Sequence, residues 1–374
     1  MTLLDETAQE YLENAKKNHL LRSLKDSSRE DGVNVLRGGV KYISFSCNDY
    51  LGLSHNASVK KAAWDALEKY GAGSGASRLV TGNNPLYSEL EKKLANLKKT
   101  ESALVFGSGY LANIGTIPAL VGRGDLILAD KLVHACLLDG AKLSGAKLMR
   151  FEHNNVEKCS DILKKNRNEY KNCLIITDHV FSMDGDIAPV DELYKLAKKT
   201  DSWLMTDDAH GIGVLSKTHK HTPHIQMGTL SKAVGSYGGY VCASDVVIKF
   251  LQNKSRSLVY STALPPMVLA ASLAALNIIE NDADLVKKPL DYARYFTSQM
   301  GLAEAVSPIV PIIIGDEAKA VSLSEALESE GFLVSAIRPP TVPSGTARLR
   351  FTFSAAHNEA DIDRLVAVLK RVGV

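Results

Sequence analysis

Lys232, in the run Thr229-Leu230-Ser231-Lys232-Ala233-Val234-Gly235, follows Asp207 by 25 positions. Asp207 opens an Asp-Asp-Ala-His run that ends at His210, directly after the apolar stretch around Trp203-Leu204-Met205. An amine that condenses with an aldehyde, and a carboxylate that keeps a pyridine nitrogen protonated, are the two groups a pyridoxal phosphate cofactor demands of a protein. Neither residue carries that reading alone, since most lysines are solvated surface charges. Their order, and their position just after apolar runs of strand character, strengthens it.

Other polar residues fall at equivalent places. Gly107-Ser108-Gly109-Tyr110 separates an apolar run at Ala103–Phe106 from a helical stretch reaching Ile117. Glycines there let backbone N–H groups approach an anion at a helix N-terminus, although a plain tight turn explains them equally well. The run is not a dinucleotide fingerprint: Gly107-x-Gly109 leads to Ala112, and the next glycine is Gly115, so a nicotinamide site is a weak alternative. His134 follows Leu126–Ala129, and Ser182 follows Cys173–Thr177. Taken singly, the first reads as a capping histidine and the second as a turn residue before Asp184-Gly185. Four successive strand ends carrying polar groups on one edge of a sheet point instead to a ligand site.

The elements that must position these groups alternate between short β-branched runs and amphipathic stretches of helical period, the pattern of a mostly parallel sheet covered by helices. Strands are expected at 103–106, 126–129, 148–151, 173–177, 203–206, 225–228 and 240–243, giving one large α/β domain with a seven-stranded sheet. Helices are expected at Val59–Tyr70, Leu86–Leu97 and Val190–Lys199. The predicted organisation is an N-terminal helical arm over 1–45, a large cofactor-binding domain over 46–281 and a smaller C-terminal α+β domain over 282–374.

The chain has 374 residues, of which 45% are hydrophobic and 23% charged, ordinary values for a globular protein with a substantial core. A net charge of +2, from 44 basic and 42 acidic residues, offers no footprint for nucleic acid or an anionic membrane. The acid-bearing N-terminus fits neither a signal nor a transit peptide, and the longest apolar run, Pro266–Ile279, is too short to span a bilayer. A cytoplasmic location is expected. Cys47, Cys136, Cys159, Cys173 and Cys242 are odd in number and lack metal-ligand spacing, so reduced thiols and no metal are expected.

Five runs in fixed order make the reading specific: Asn48-Asp49-Tyr50-Leu51-Gly52-Leu53, Gly73–Gly82, Val180-Phe181-Ser182-Met183-Asp184-Gly185-Asp186, Asp207–Gly211 and Thr229–Lys232. Together they resemble the α-oxoamine synthases, pyridoxal phosphate enzymes of the aspartate aminotransferase fold type, over about Asn48 to His357. The resemblance implies that Lys232 binds the cofactor aldehyde, Asp207 pairs with the pyridine nitrogen and His134 stacks on the ring. Ser182 and His210 would bond near the phenolic oxygen. Thr229 and the backbone of Gly109 and Tyr110 would hold the phosphate. It also implies a homodimer with shared sites, in which Thr262 reaches the phosphate across the interface and Asn48 lies near it.

The Ala336–Arg350 run resembles the branch of the family that joins L-alanine to a pimeloyl thioester, carried by coenzyme A or an acyl carrier protein, in biotin biosynthesis. There Arg350 would grip the amino acid carboxylate, with Arg22, Asn48, His134 and Thr341 as further substrate contacts. Lys232, His134 and Asp207 are the implied catalytic residues. The alternative within the family is glycine or serine with another acyl thioester. Two departures stand out: Thr177-Asp178-His179 where the family more often has Thr-Glu-Gly or Thr-Glu-Ser, and a short Leu215–His224 connection.

Overall fold

The structure, a computed structural model, describes residues 2–17, 20–215 and 219–374. Residues 216–218 of the Leu215–His224 connection thus lie outside the described residues. The chain divides into two compact units, one of residues 49–182 and 186–289, the other of residues 1–48, 183–185 and 290–374.

The first unit is built on seven strands: β1 (Ser102–Phe106), β2 (Leu126–Asp130), β3 (Lys147–Phe151), β4 (Cys173–Asp178), β5 (Trp203–Asp207), β6 (Ile225–Thr229) and β7 (Gly239–Ala243). Their order across the sheet is β1-β7-β6-β5-β4-β2-β3. Strand β7 runs antiparallel to both neighbours, and the other pairs are parallel. Every residue of β2, β4, β6 and β7 is buried. That burial is why these segments read as continuous apolar runs rather than as alternations, since helices cover both faces of a parallel sheet. Each expected strand is present, with ends displaced by no more than one residue, and the expected α/β class with a mostly parallel sheet is confirmed.

Two helices frame the site. Helix α1 (Gly109–Leu120) follows β1 directly, and helix α2 (Ala135–Ser144) follows β2. They pack closely: a Cβ on Gly140 of α2 would lie 3.0 Å from Asn113 O and from Ile117 Cδ1 of α1. Parallel strands all deliver their carboxyl ends to the same edge, so the loops after β2, β4, β5 and β6 meet there.

The second unit carries an antiparallel sheet of β8 (Ile309–Gly315), β9 (Ser335–Ile337) and β10 (Ala347–Thr352), in the order β8-β10-β9. Its core includes Phe45, Phe296, Phe332, Leu349, Phe351, Phe353 and Leu365. At the N-terminus an exposed helix, Leu3–Lys17, is followed by three short strands at Ser28–Asp31, Asn34–Arg37 and Val40–Ser44. The sequence reading did not mark these strands: the first, Ser-Arg-Glu-Asp, is polar, and the other two are only four and five residues long, too short to show a clear period. Among the described residues, no helix is long and apolar enough to cross a membrane.

Candidate active site

A cavity of about 250 Å³ in the first unit is lined by Ser108, Gly109, Tyr110, His134, Cys136, Asp178, Asp207, His210, Thr229, Ser231 and Lys232, among others. Seven of the residues singled out in the sequence are brought together there: Gly109, Tyr110, His134, Asp207, His210, Thr229 and Lys232. Ser182 and Thr262 belong to the same unit but are not among the residues lining the cavity. Ser182 is half-buried; Thr262 is exposed and forms an isolated antiparallel bridge with Ser77.

Lys232 Nζ lies 2.7 Å from His210 Nε2, and His210 Nδ1 lies 2.7 Å from the Tyr50 hydroxyl. The imidazole therefore sits between an amine and a phenol; a protonated Lys232 amine can only donate, and then the imidazole proton is on Nδ1, facing the Tyr50 hydroxyl. Asp207, at the end of β5, is 5% exposed. Its Oδ2 accepts from Asn113 Nδ2 at 2.8 Å and its Oδ1 from Ala209 N at 2.9 Å. Those two donors offset the desolvation that a buried carboxyl group suffers.

Asn113 and Tyr50 were not singled out as functional residues by sequence reasoning. The available signal for Asn113 was an amide side chain in the mostly apolar helical stretch Gly-Tyr-Leu-Ala-Asn-Ile-Gly-Thr-Ile, where it is buried. For Tyr50 it was only the run beginning at Asn48.

His134 is the N-cap residue of α2, as its plainer reading supposed, yet it also lines the cavity. Its Nδ1 accepts from Cys136 N at 3.3 Å and lies 2.8 Å from Cys136 Sγ. The His134 pKa is lowered, first by desolvation of the ring within the pocket although the residue as a whole keeps solvent contact; Asp207 opposes this and Lys232 reinforces it. Burial, and then the Asp207 carboxylate, push the Cys136 thiol up to about 12. A protonated thiol can donate to Nδ1, which leaves the His134 proton on Nε2.

The turn from β1 into α1 has the form of an anion seat. Ser108 caps the helix, its side chain accepting from Leu111 N, and the first intrahelical bond runs from Ala112 N to Ser108 O. The N–H groups of Gly109 and Tyr110 precede that bond and point out of the helix end. Only glycine fits opposite, at the start of β7, because a Cβ on Gly239 would lie 2.4 Å from Ser108 O and 2.6 Å from Gly109 N. Thr229 Oγ1 donates to Gly238 O at 2.8 Å and pairs with Ser231 Oγ at 2.8 Å. Ser231 therefore joins Thr229 in the cavity wall, a residue the sequence did not mark.

The unusual Asp178-His179 pair occupies the strand end beside Asp207. Asp178 pairs with Asp207 across β4 and β5. Burial, and then the neighbouring Asp207 charge, push Asp178 well above the usual carboxylate range, against a hydrogen bond from His134 N. His179 turns the other way, its Nδ1 2.6 Å from Asp208 Oδ1, while Lys98 bonds the second oxygen of Asp208. Burial works against the Asp208 charge, but Lys98 and then His179 hold its carboxyl well below the ordinary range. A Cβ on Gly211 would lie 2.0 Å from Asp208 Oδ1, so that network requires glycine there.

In the second unit, both terminal nitrogens of Arg350 approach Asn48 Oδ1, at 3.5 and 3.4 Å, and Arg350 is 5% exposed. Arg22 and Thr341, both exposed, line one small cavity of about 110 Å³ together with Arg338. The second unit thus pairs Asn48 with Arg350 and Arg22 with Thr341.

The family model for aminotransferase class I and II matches residues 40–369. The chain belongs to that family. A protein of Beijerinckia indica named 8-amino-7-oxononanoate synthase is 52% identical over 377 residues, covering 99% of this chain and 98% of its own length. Among solved structures, a variant of serine palmitoyltransferase from S. paucimobilis with a bound PLP-myriocin aldimine is similar at a TM-score of 0.92 and 26% identity, covering 100% of this chain and 98% of that one. An 8-amino-7-oxononanoate synthase from Francisella tularensis is similar at a TM-score of 0.76 and 30% identity, covering 88% of this chain and 98% of that one. The α-oxoamine synthase resemblance read from the sequence is thereby confirmed.

Burial sets the order in which the cysteines should react. Cys47 is half-buried, whereas Cys136, Cys159, Cys173 and Cys242 are buried. Desolvation pushes Cys136, Cys159 and Cys242 up to about 12. At pH ~8, near the ordinary thiol range, a chromogenic disulfide reagent should label Cys47 first and the other four only on unfolding. Rapid labelling of Cys136 in the folded protein would contradict the protonated cavity thiol.

Proposed function

We propose that this chain is a pyridoxal 5'-phosphate-dependent acyltransferase that joins L-alanine to a pimeloyl thioester by decarboxylative Claisen condensation. The products are 8-amino-7-oxononanoate, carbon dioxide and free thiol, and the pathway is biotin biosynthesis. The observation that carries the reading is one cavity lined by an amine, a buried carboxyl group and a helix N-terminus suited to an anion. That donor set fits the aldehyde, pyridine nitrogen and phosphate of the cofactor. The choice of substrates is supported by the relatives' name and by the Ala336–Arg350 run.

When bound, pyridoxal phosphate supplies the electron sink that makes a carbanion at the amino acid α-carbon accessible. The protein's part is binding, orientation and proton transfer. Lys232 Nζ would hold the cofactor aldehyde and, as a free amine, would take the α-proton of the substrate. His210 Nε2, 2.7 Å away, orients that amine, and the Tyr50 hydroxyl bonds the other ring nitrogen. Asp207, fixed by Asn113 and Ala209 N, bonds the pyridine nitrogen. Gly109, Tyr110 and Thr229 would hold the phosphate, and His134 would lie against the ring. Ser182 bonds near the phenolic oxygen. Arg350 binds the amino acid carboxylate, for which a planar guanidinium is suited, and Arg22, Asn48 and Thr341 complete the substrate contacts.

A homodimer belongs to the same reading. Thr262 and Ser77, joined by their bridge, are close in sequence to Leu79, Val80 and Tyr260, which expose 59%, 74% and 73% of their surface. Such apolar exposure favours a partner. Sedimentation should return a dimer; a monomer at micromolar concentration would remove Thr262 from the site.

A second reading, glycine or serine with another acyl thioester, is favoured by the likeness to serine palmitoyltransferase. Incubating the protein with alanine, glycine and serine against several acyl thioesters, with product mass as the readout, separates the two. Formation of 8-amino-7-oxononanoate from alanine is expected to dominate.

Lys232→Ala should keep the fold but lose the visible absorbance of lysine-bound cofactor and lower kcat by at least about 10²–10⁴-fold. Normal turnover in that variant would sink the central assignment. Arg350→Gln, which removes a charge-assisted bond of about 1.5–3 kcal/mol, should raise the KM for alanine by roughly 10- to 100-fold. An unchanged KM would take Arg350 out of the substrate site.

A further inference from the structure

His153 lies just beyond β3, and both of its ring nitrogens face carboxyl oxygens. Nδ1 is 3.0 Å from Asp130 Oδ1, and Nε2 is 2.7 Å from Asp186 Oδ2. A neutral imidazole has a single N–H and can donate to only one of them, whereas the imidazolium donates to both. Phe181 packs edge-on against the ring, with centroids 4.3 Å apart at 90°. Burial disfavours the cation, but the hydrogen bonds to Asp130 and Asp186, with their charges adding, lift the His153 pKa to about 10.

Each carboxyl group anchors a further segment. Asp130 ends β2; its Oδ1 also accepts from Leu132 N at 2.8 Å, and its Oδ2 accepts from Asn154 N at 2.7 Å. That fixes the turn leading to His134. Asp186 Oδ2 also accepts from Asn154 Nδ2 at 2.8 Å, and Asp186 O accepts from Phe181 N at 3.1 Å, next to Ser182. Val180 and Ile187 close the same segment by an antiparallel bridge.

We propose that His153 is a positioning residue of the cofactor site: by donating from both ring nitrogens, it ties the 130–134 turn that presents His134 to the 180–187 segment that presents Ser182. This rests on the reading of His134 and Ser182 as cofactor contacts. His153 itself does not touch the cavity lining. It acts on two strand ends at once, alongside Asn154, whose N and Nδ2 bond the same two carboxyl groups.

The clamp has a defined pH window. A histidine whose pKa is raised on folding contributes stability that is complete below its unfolded value of about 6.5 and is lost as pH rises through the folded value. For His153 that loss centres near pH 10, the charged groups facing the ring being Asp130 and Asp186.

The test uses His153→Gln, His153→Phe and Asp186→Asn. Cofactor affinity of the full chain is measured by titrating pyridoxal phosphate against visible absorbance, and amide exchange is measured on the cofactor-free protein. His153→Phe should weaken cofactor binding by roughly 10-fold or more, with His153→Gln, which keeps one donor, in between. Amides of Leu132, Asn154 and Phe181 should exchange about 10-fold faster while those of β2, β4 and β5 do not change. Asp186→Asn should move the high-pH loss of cofactor affinity to lower pH, because His153 then has one carboxylate instead of two.

Wild-type affinity and exchange in His153→Gln, or an unshifted high-pH limb in Asp186→Asn, would overturn the proposal. If His153→Phe does not fold, the other two variants decide. Should the unmutated protein bind no pyridoxal phosphate, the cofactor reading falls, and the exchange pattern of the cofactor-free variants still decides whether the clamp exists.

Discussion

A carboxyl group at the end of a buried strand is the constraint around which the site is arranged. Asp207 is taken almost wholly out of water, and its carboxyl group is held by Asn113 from α1 and by Ala209 N from the following turn. To bring Asn113 there, α1 must lie close to α2, and glycine at 140 permits that approach. The same helix presents its N-terminus to the cavity. One short helix therefore supplies both the support for the carboxyl group and the seat for an anion, at opposite sides of one cofactor-sized space.

Charge is distributed around Asp207 in a way that separates roles. Asp178, its in-register neighbour, is pushed towards the neutral form by burial and by Asp207 itself, whereas Asp208 is held ionised by Lys98 and His179. The two carboxyl groups flanking Asp207 thus differ in character because their partners differ. The His179 side chain belongs to the Asp208 network rather than to that of Asp207.

Much of the fold was legible because a parallel sheet buried on both faces writes itself as uninterrupted apolar runs. The strands at 126–130 and 173–178 are cases in point, and the polar residues just after them were readable as a set. Lys232 and Asp207 were legible as a pair for the same reason. What could not be read were contacts between residues far apart in sequence and ordinary in type. Asn113 meets Asp207 across 94 positions, Tyr50 meets His210 across 160, and Asn48 meets Arg350 across 302. Nothing in local composition records such pairings. The N-terminal strands escaped because each has only four or five residues, too few to set a clear period. His134 shows a different limit: capping and cavity lining are both true of it, and residue type alone could not choose between them.

The place of β7 has a consequence for how the protein is made. Strand β1, which carries the Ser108-Gly109 turn, finds its sheet partner only in β7, more than a hundred residues later in the chain, and Gly239 of β7 packs directly under that turn. While the ribosome is still extending the chain through β6, β1 is an unpaired edge and the turn has no floor. Contacts of such long sequence separation form late, because the intervening loop must first be closed. The parallel strands and the carboxyl group they carry can assemble beforehand, so the anion-binding corner is the last part of this wall to be finished during synthesis.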